Sequence, residues 1–177
     1  MKRGARIITF WLCPAEPARS YFAALISDLA TRYAARVFEP HVTMYVISAD
    51  QKNATTLLEK VVKSCRPYRL KVRGVDSSDE FTKTLFVQFA PDTGLARLSE
   101  ELRRASASPS DYQLNPHLSL IYKSMDAETK RRLAASITLP FTDVIFDSLK
   151  AVISPAEIKS RQDVEAWRVI AERKLTG

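Results

Sequence analysis

Apolar residues recur along this chain with two periods, and the order in which the periods alternate predicts its elements. Ile7 to Cys13 is an apolar run of strand length that stops at Pro14. Phe22, Leu25, Ile26, Leu29 and Tyr33 then step by three and four, predicting a helix over 17–35 with Pro17 suited to its first turn. Val42, Met44 and Val46 alternate with His41, Thr43 and Tyr45, the period of a strand with one face in the core. Asp50 reads as the N-cap of a second helix that ends at Lys63 and carries Leu57, Leu58, Val61 and Val62. Two strands, 68–72 and 84–89, follow across a polar turn.

From that last strand the order begins again. Asp92 caps a predicted helix through Arg104 built on Leu95, Leu98 and Leu102, and the polar stretch Ser106-Ala107-Ser108-Pro109-Ser110 leads to a second strand at 117–121. A helix over 126–136, a strand within 144–153 and a final strand over 166–171 complete the chain. The two halves match as strand, helix, strand, helix, strand, strand when strand 84–89 is counted as the end of the first and the start of the second. One domain over residues 1–177 is expected, with half-repeats at about 5–82 and 83–177. The predicted class is α+β: a two-lobed, pseudo-twofold duplicated fold with two antiparallel sheets facing a central cleft and helices on the outside.

Composition narrows the picture without naming a chemistry. With 46% hydrophobic residues the chain can bury a full core, and its 27 Lys and Arg against 20 Asp and Glu are spread rather than gathered into a basic tail. A net charge of +7 suits an anionic ligand such as a phosphate ester. Cys13 and Cys65 are too few for a disulfide scaffold and lack zinc-site spacing, so two buried reduced thiols and no metal are expected. No apolar stretch approaches the ~20 residues that span a bilayer. The basic start before Ile7 lacks a small-x-small cleavage site, so 7–13 reads as a strand and a cytoplasmic location with no membrane partner is expected.

The chemistry lies in a repeat inside the repeat. Pro40-His41-Val42-Thr43-Met44-Tyr45 and Pro116-His117-Leu118-Ser119-Leu120-Ile121 share the pattern Pro-His-apolar-hydroxyl-apolar-apolar, and they hold the only two histidines. Random placement would give both histidines a preceding Pro and a following hydroxyl in roughly one sequence in ten thousand. Side chains two apart on a strand share a face, so His41 lies beside Thr43 and His117 beside Ser119. Two imidazoles that exchange protons near neutral pH, with two hydroxyls for anionic oxygens, form the set phosphoryl transfer needs: a base, an acid and donors. The chain has no Gly-x-Ser-x-Gly elbow, no His-Glu-x-x-His and only four Gly, which disfavours a serine hydrolase, a zinc hydrolase and a Gly-rich phosphate loop.

These tandem segments resemble the motifs of the 2H phosphoesterase superfamily. Phe10-Trp11-Leu12-Cys13-Pro14, the extended Pro116–Tyr122 segment and Glu165-Ala166-Trp167 are similar to its cyclic phosphodiesterase branch, known from plants and yeast, and the similarity spans nearly the whole chain. The superfamily also holds RNA 2′,3′-cyclic phosphodiesterases once called ligases, a uridine-trimming RNA exonuclease and nucleotide-binding anchoring domains. The resemblance implies cofactor-free hydrolysis of ADP-ribose 1″,2″-cyclic phosphate or nucleoside 2′,3′-cyclic phosphates, the latter opened at the 3′ bond to leave a 2′-phosphate. It implies His41 and His117 as acid and base, with His117 favoured as the base, and Thr43 and Ser119 as phosphate-holding groups. Tyr122 matches a phosphate-site tyrosine of that branch, although its odd offset from His117 demands a bulge or strand end to re-aim it. Trp11 is a candidate to stack on base or ribose and Trp167 a core residue, while Lys83, Thr84 and Phe86 fall where they could line the cleft. A monomer acting on a small cyclic nucleotide is expected, with RNA ends as the second substrate class and a non-catalytic nucleotide-binding module as the third reading.

Overall fold

The computed structural model describes residues 5–49, 54–63, 65–107 and 109–176. The strands are β1 (Arg6–Pro14), β2 (Val42–Ser48), β3 (Tyr68–Ser77), β4 (Leu85–Phe89), β5 (His117–Ile121), β6 (Asp143–Pro155) and β7 (Arg168–Lys174). The helices are α1 (Ala18–Tyr33), α2 (Ala54–Val62), α3 (Thr93–Ala105), α4 (Ala127–Ser136) and α5 (Arg161–Glu165), with a 3-10 turn at Phe81–Lys83. Asp92 and Asp126 cap α3 and α4 by accepting from the backbone N–H of Leu95 and Thr129, each at 2.8 Å. The cap expected at Asp50 lies outside the described residues. The short α5 was not anticipated, although Ser160 and Asp163 form a capping box at its start.

The strands join into one sheet instead of the expected two. The order is β1-β2-β5-β4-β3-β6-β7, and β1 also pairs with β6, so six strands close a ring. Two lobes are nevertheless visible within it: β2-β1-β6-β7 and β5-β4-β3-β6, all antiparallel. β6 belongs to both because it is 13 residues long, ~43 Å of extended chain. Its residues 143–146 pair with β3 and 146–155 with β1, and Phe146 is the pivot, opposite Tyr68 on one side and Pro14 on the other. On the far side the ring closes through the single pair Val42↔Leu118 between β2 and β5.

The helices cross between the lobes. α1 precedes β2 yet packs on β5, while α3 precedes β5 yet packs on β2; α2 covers β6 and β7, and α4 covers β3 and β4. Each histidine strand is therefore backed by a helix from the other half, and the main apolar interior is one cluster, with a second, small one of Trp11, Cys13 and Val152 against Trp167. Phe10 and Leu12 of β1, Phe22 and Ile26 of α1, Leu95 and Leu102 of α3 and Phe146 are fully buried in it. Such side chains contribute ~1.5–3 kcal/mol each by leaving water. The opposite face of β1, with Ile7, Thr9 and Trp11, is left for the cleft. Both cysteines are buried thiols outside any disulfide, and Cys65 Sγ donates to the Val61 carbonyl at 3.2 Å. No helix of the described residues is long and apolar enough to cross a membrane.

Candidate active site

His41 stands one residue ahead of β2, and His117 opens β5. On each strand the register with its neighbour decides which side chains share the cleft. Trp11 of β1 is opposite Thr43, and Phe86 of β4 is opposite Ser119. Beyond those pairs both ladders slip: Phe10 is opposite Tyr45, leaving Met44 over, and Leu85 is opposite Ile121, leaving Leu120 over. Each histidine strand thus carries a β-bulge at matching positions, 76 residues apart like the histidines (120 − 44 and 117 − 41).

The bulges reverse the alternation that the strand period predicts. Val46, expected in the core with Val42 and Met44, lines the cleft, and Tyr45 is fully buried on the other face. Tyr122 is turned in the same way into the cavity with His117 and Ser119, three residues past the hydroxyl as Val46 is past Thr43. All six candidate residues, Trp11, His41, Thr43, His117, Ser119 and Tyr122, line one cavity of about 370 Å³. That volume lies at the small end of ligand pockets, which run ~300–1,000 Å³.

The histidines are held alike. His41 Nδ1 is 2.7 Å from the Glu39 carbonyl oxygen and His117 Nδ1 is 2.8 Å from that of Asn115. A carbonyl only accepts, so in both rings Nδ1 carries the hydrogen and neutral Nε2 presents its lone pair. Their surroundings differ. Trp11 stacks on His41 with ring centroids 3.7 Å apart and planes 10° from parallel, and Trp167 meets Trp11 edge-on at 5.0 Å. Trp11, a candidate for stacking on substrate, thus spends a ring face on the imidazole. Phe86 meets His117 edge-on at 5.5 Å, with Lys83 Nζ 4.5 Å from the Phe86 ring centroid.

Electrostatics follow burial. His41 is 6% exposed, and loss of hydration pushes its pKa down to about 4, with smaller downward contributions from His117 and Lys150. His117 is half-buried and is lowered too, first by burial and then by Lys83, with the Asn115 carbonyl bond opposing. Burial pushes the Tyr122 phenol up, so it is a neutral donor; a hydrogen bond with Ser119 works the other way. Ser119 Oγ donates to the Thr82 carbonyl at 2.7 Å, tying β5 to the 3-10 turn, while Tyr112 Oη donates to the Thr43 carbonyl at 3.0 Å.

Sequence reasoning missed Thr9, Thr82, Tyr112 and Ile158 on the cavity wall. Thr9 was legible as a polar residue on the Trp11 face of β1, whereas Thr82, Tyr112 and Ile158 sit in connecting segments with no periodic signal. Among the described residues no group of three or more His, Cys, Asp or Glu is placed to hold a metal ion.

Residues 14–152 match the model of the 2′-5′ RNA ligase superfamily. The chain belongs to that family, the LigT-like 2H phosphoesterases. Escherichia coli LigT complexed with 3′-AMP is similar in fold, with a TM-score of 0.60 at 15% identity over 98% of this chain and 99% of that one. TT0787 of Thermus thermophilus gives 0.63 at 17% identity over 96% and 97%. Usb1 of Kluyveromyces marxianus gives 0.51 at 13% identity over 96% and 97%. No curated protein sequence matches the chain. Membership makes this 2H phosphoesterase a phosphodiesterase-type hydrolase.

Proposed function

We propose that the protein hydrolyses small cyclic phosphodiesters, namely ADP-ribose 1″,2″-cyclic phosphate and nucleoside 2′,3′-cyclic phosphates, by metal-independent acid–base catalysis of two histidines. The observation that carries this reading is the matched pair: two imidazoles, each with Nδ1 fixed to the carbonyl two residues back and each beside a hydroxyl in one cavity. His117, the more exposed, meets entering water and its Nε2 takes the proton as the water oxygen attacks phosphorus. The bond from phosphorus to the 3′-oxygen breaks, and that oxygen takes the proton carried by His41 Nε2, leaving a 2′-phosphate. Thr43 and Tyr122 donate to the non-bridging oxygens, where charge builds in the transition state, and Ser119 joins them by turning its hydroxyl away from the Thr82 carbonyl. Burial holds His41 neutral at physiological pH, so it acquires its proton together with the phosphate anion, whose charge offsets the cost of burying an imidazolium.

The cavity of about 370 Å³ favours a nucleotide over a polymer. A nucleotide ligand also agrees with the E. coli LigT structure complexed with 3′-AMP. Product analysis tests the proposal: with EDTA present, phosphorus NMR should show ring-opened 2′-phosphate from 2′,3′-cyclic nucleotides. His41→Ala and His117→Ala should each lose more than ~100-fold in kcat. A leaving group that needs no proton should rescue His41→Ala alone; rescue of His117→Ala would exchange the two roles. The distributed positive charge favours RNA ends as a second substrate class, which would show affinity falling steeply with salt. Nucleotide binding without turnover of any cyclic phosphate would instead establish a binding module.

A further inference from the structure

The carbonyls that orient the two histidines belong to Glu39 and Asn115, and both of these residues are themselves clamped through their side chains. Glu39 Oε1 is 2.6 Å from Lys150 Nζ, and Asn115 Oδ1 accepts from Gln88 Nε2 at 3.0 Å. Gln88 also donates to the Pro116 carbonyl at 2.9 Å, so it grips the two residues that precede His117. Both clamps come from strands of the ring. Lys150 of β6 is in register with Trp11, the residue stacked on His41, and Gln88 of β4 is in register with His117 itself. Neither clamp lines the cavity.

We infer that Lys150 and Gln88 are positioning residues that hold the two histidines through their carbonyl anchors, and that the Lys150 clamp also sets the charge around His41. This rests on the two-histidine reading given above. The two clamps differ in kind: a partly buried ion pair serves the buried histidine, and a neutral amide pair serves the half-exposed one. Lys150 is 9% exposed and also lies 3.5 Å from Glu172 Oε2 on β7. Burial works against its charge, yet the Glu39 bond and the neighbouring Glu172 hold it protonated. The charged or titratable groups that act on His41 are Glu39, through its carbonyl, His117 from β5 and Lys150 from β6, and Lys150 in turn meets the Glu39 carboxylate and Glu172 of β7. Phe38, Trp11 and Trp167 face it with uncharged rings. Lys150 is thus a buried cation whose two carboxylate neighbours, half-buried Glu39 and exposed Glu172, lose their partner if it is removed.

Two substitutions in this one cluster therefore act on His41 in opposite directions. Lys150→Met leaves Glu39 and Glu172 uncompensated and should raise the His41 titration by about one pH unit. Glu39→Gln keeps the backbone anchor and an acceptor for Lys150 but removes a negative charge, and should move the titration further down. With only two histidines in the chain, ring-carbon NMR of the full-length protein reads His41 with His117 as internal control. On a 2′,3′-cyclic nucleotide, Lys150→Met should lower kcat by about tenfold or more while KM stays within about threefold, since the lysine touches no substrate. Lys150→Arg should restore both readouts, and Gln88→Met should lower kcat without moving His41. The inference is overturned if the lysine variant keeps wild-type titration and kcat, or if both substitutions shift His41 in the same direction. If Lys150→Met does not fold, Glu39→Gln decides by the direction of its shift. The NMR result holds whether or not any substrate turns over, so failure of the proposed activity and failure of the clamp are separate outcomes.

Discussion

Acidification should destabilise this protein in large part through His41. An imidazole in the unfolded chain titrates near ~6.5, whereas in the folded protein burial holds His41 at about 4. Between those values the unfolded state binds a proton that the native state refuses, so stability is full above about pH 6.5 and falls as pH drops toward 4. Integrating the proton difference from pH 7.5 gives a loss of about 2 kcal/mol at pH 5 and about 3 kcal/mol at pH 4. That is a large part of the ~5–15 kcal/mol by which a domain is stable. The assay is urea unfolding at pH 7.5 and pH 5, comparing the wild type with His41→Asn, whose amide can still donate to the Glu39 carbonyl. Carboxylates such as Asp126 and Asp163 titrate in both proteins, so the difference between the two pH effects isolates His41. The wild type should lose about 2 kcal/mol more than the variant. Equal losses would refute the claim that burial holds the imidazole neutral at physiological pH.

Because burial lowers both imidazoles, the alkaline limb of kcat/KM should fall below pH 6.5, while that of kcat lies higher once a bound phosphate raises His41; coincident limbs would contradict the anion's part in loading the acid. Tyr122→Phe removes one buried donor together with its hydrogen bond to Ser119, and should lower kcat/KM by roughly tenfold or more while the melting temperature falls only slightly. Trp11→Ala strips the stacked partner from His41 and should cost ~3–5 kcal/mol of stability, whereas Trp11→Phe should retain most of it; thermal unfolding distinguishes them.

Some of this architecture could be read directly from residue order. The succession of strands and helices follows from local periods, and α3 and α4 begin where Asp92 and Asp126 promised. The doubled Pro-His-x-hydroxyl segments announced the two imidazoles and the hydroxyl beside each, because two residues on a strand face one way whatever surrounds them. Alternation carried past Thr43 misplaced Val46, since a bulge is a property of two paired strands and neither strand reveals it alone. The same device explains Tyr122, which strict alternation placed on the wrong face and the bulged ladder with β4 turned into the cleft.

What the sequence by itself determined is the inventory and its local order: one domain's worth of core, two histidines in matched strands, a hydroxyl two residues after each. Tertiary structure alone decided that β6 serves both lobes and closes a single ring, that Trp11 lies against His41, and that Lys150 reaches Glu39 across 111 positions (150 − 39). The physical reason is range. Side-chain direction and caps are set within a few residues, whereas pairing partners, burial and the pKa of a buried imidazole depend on which distant segments pack together, and only the folded chain specifies those.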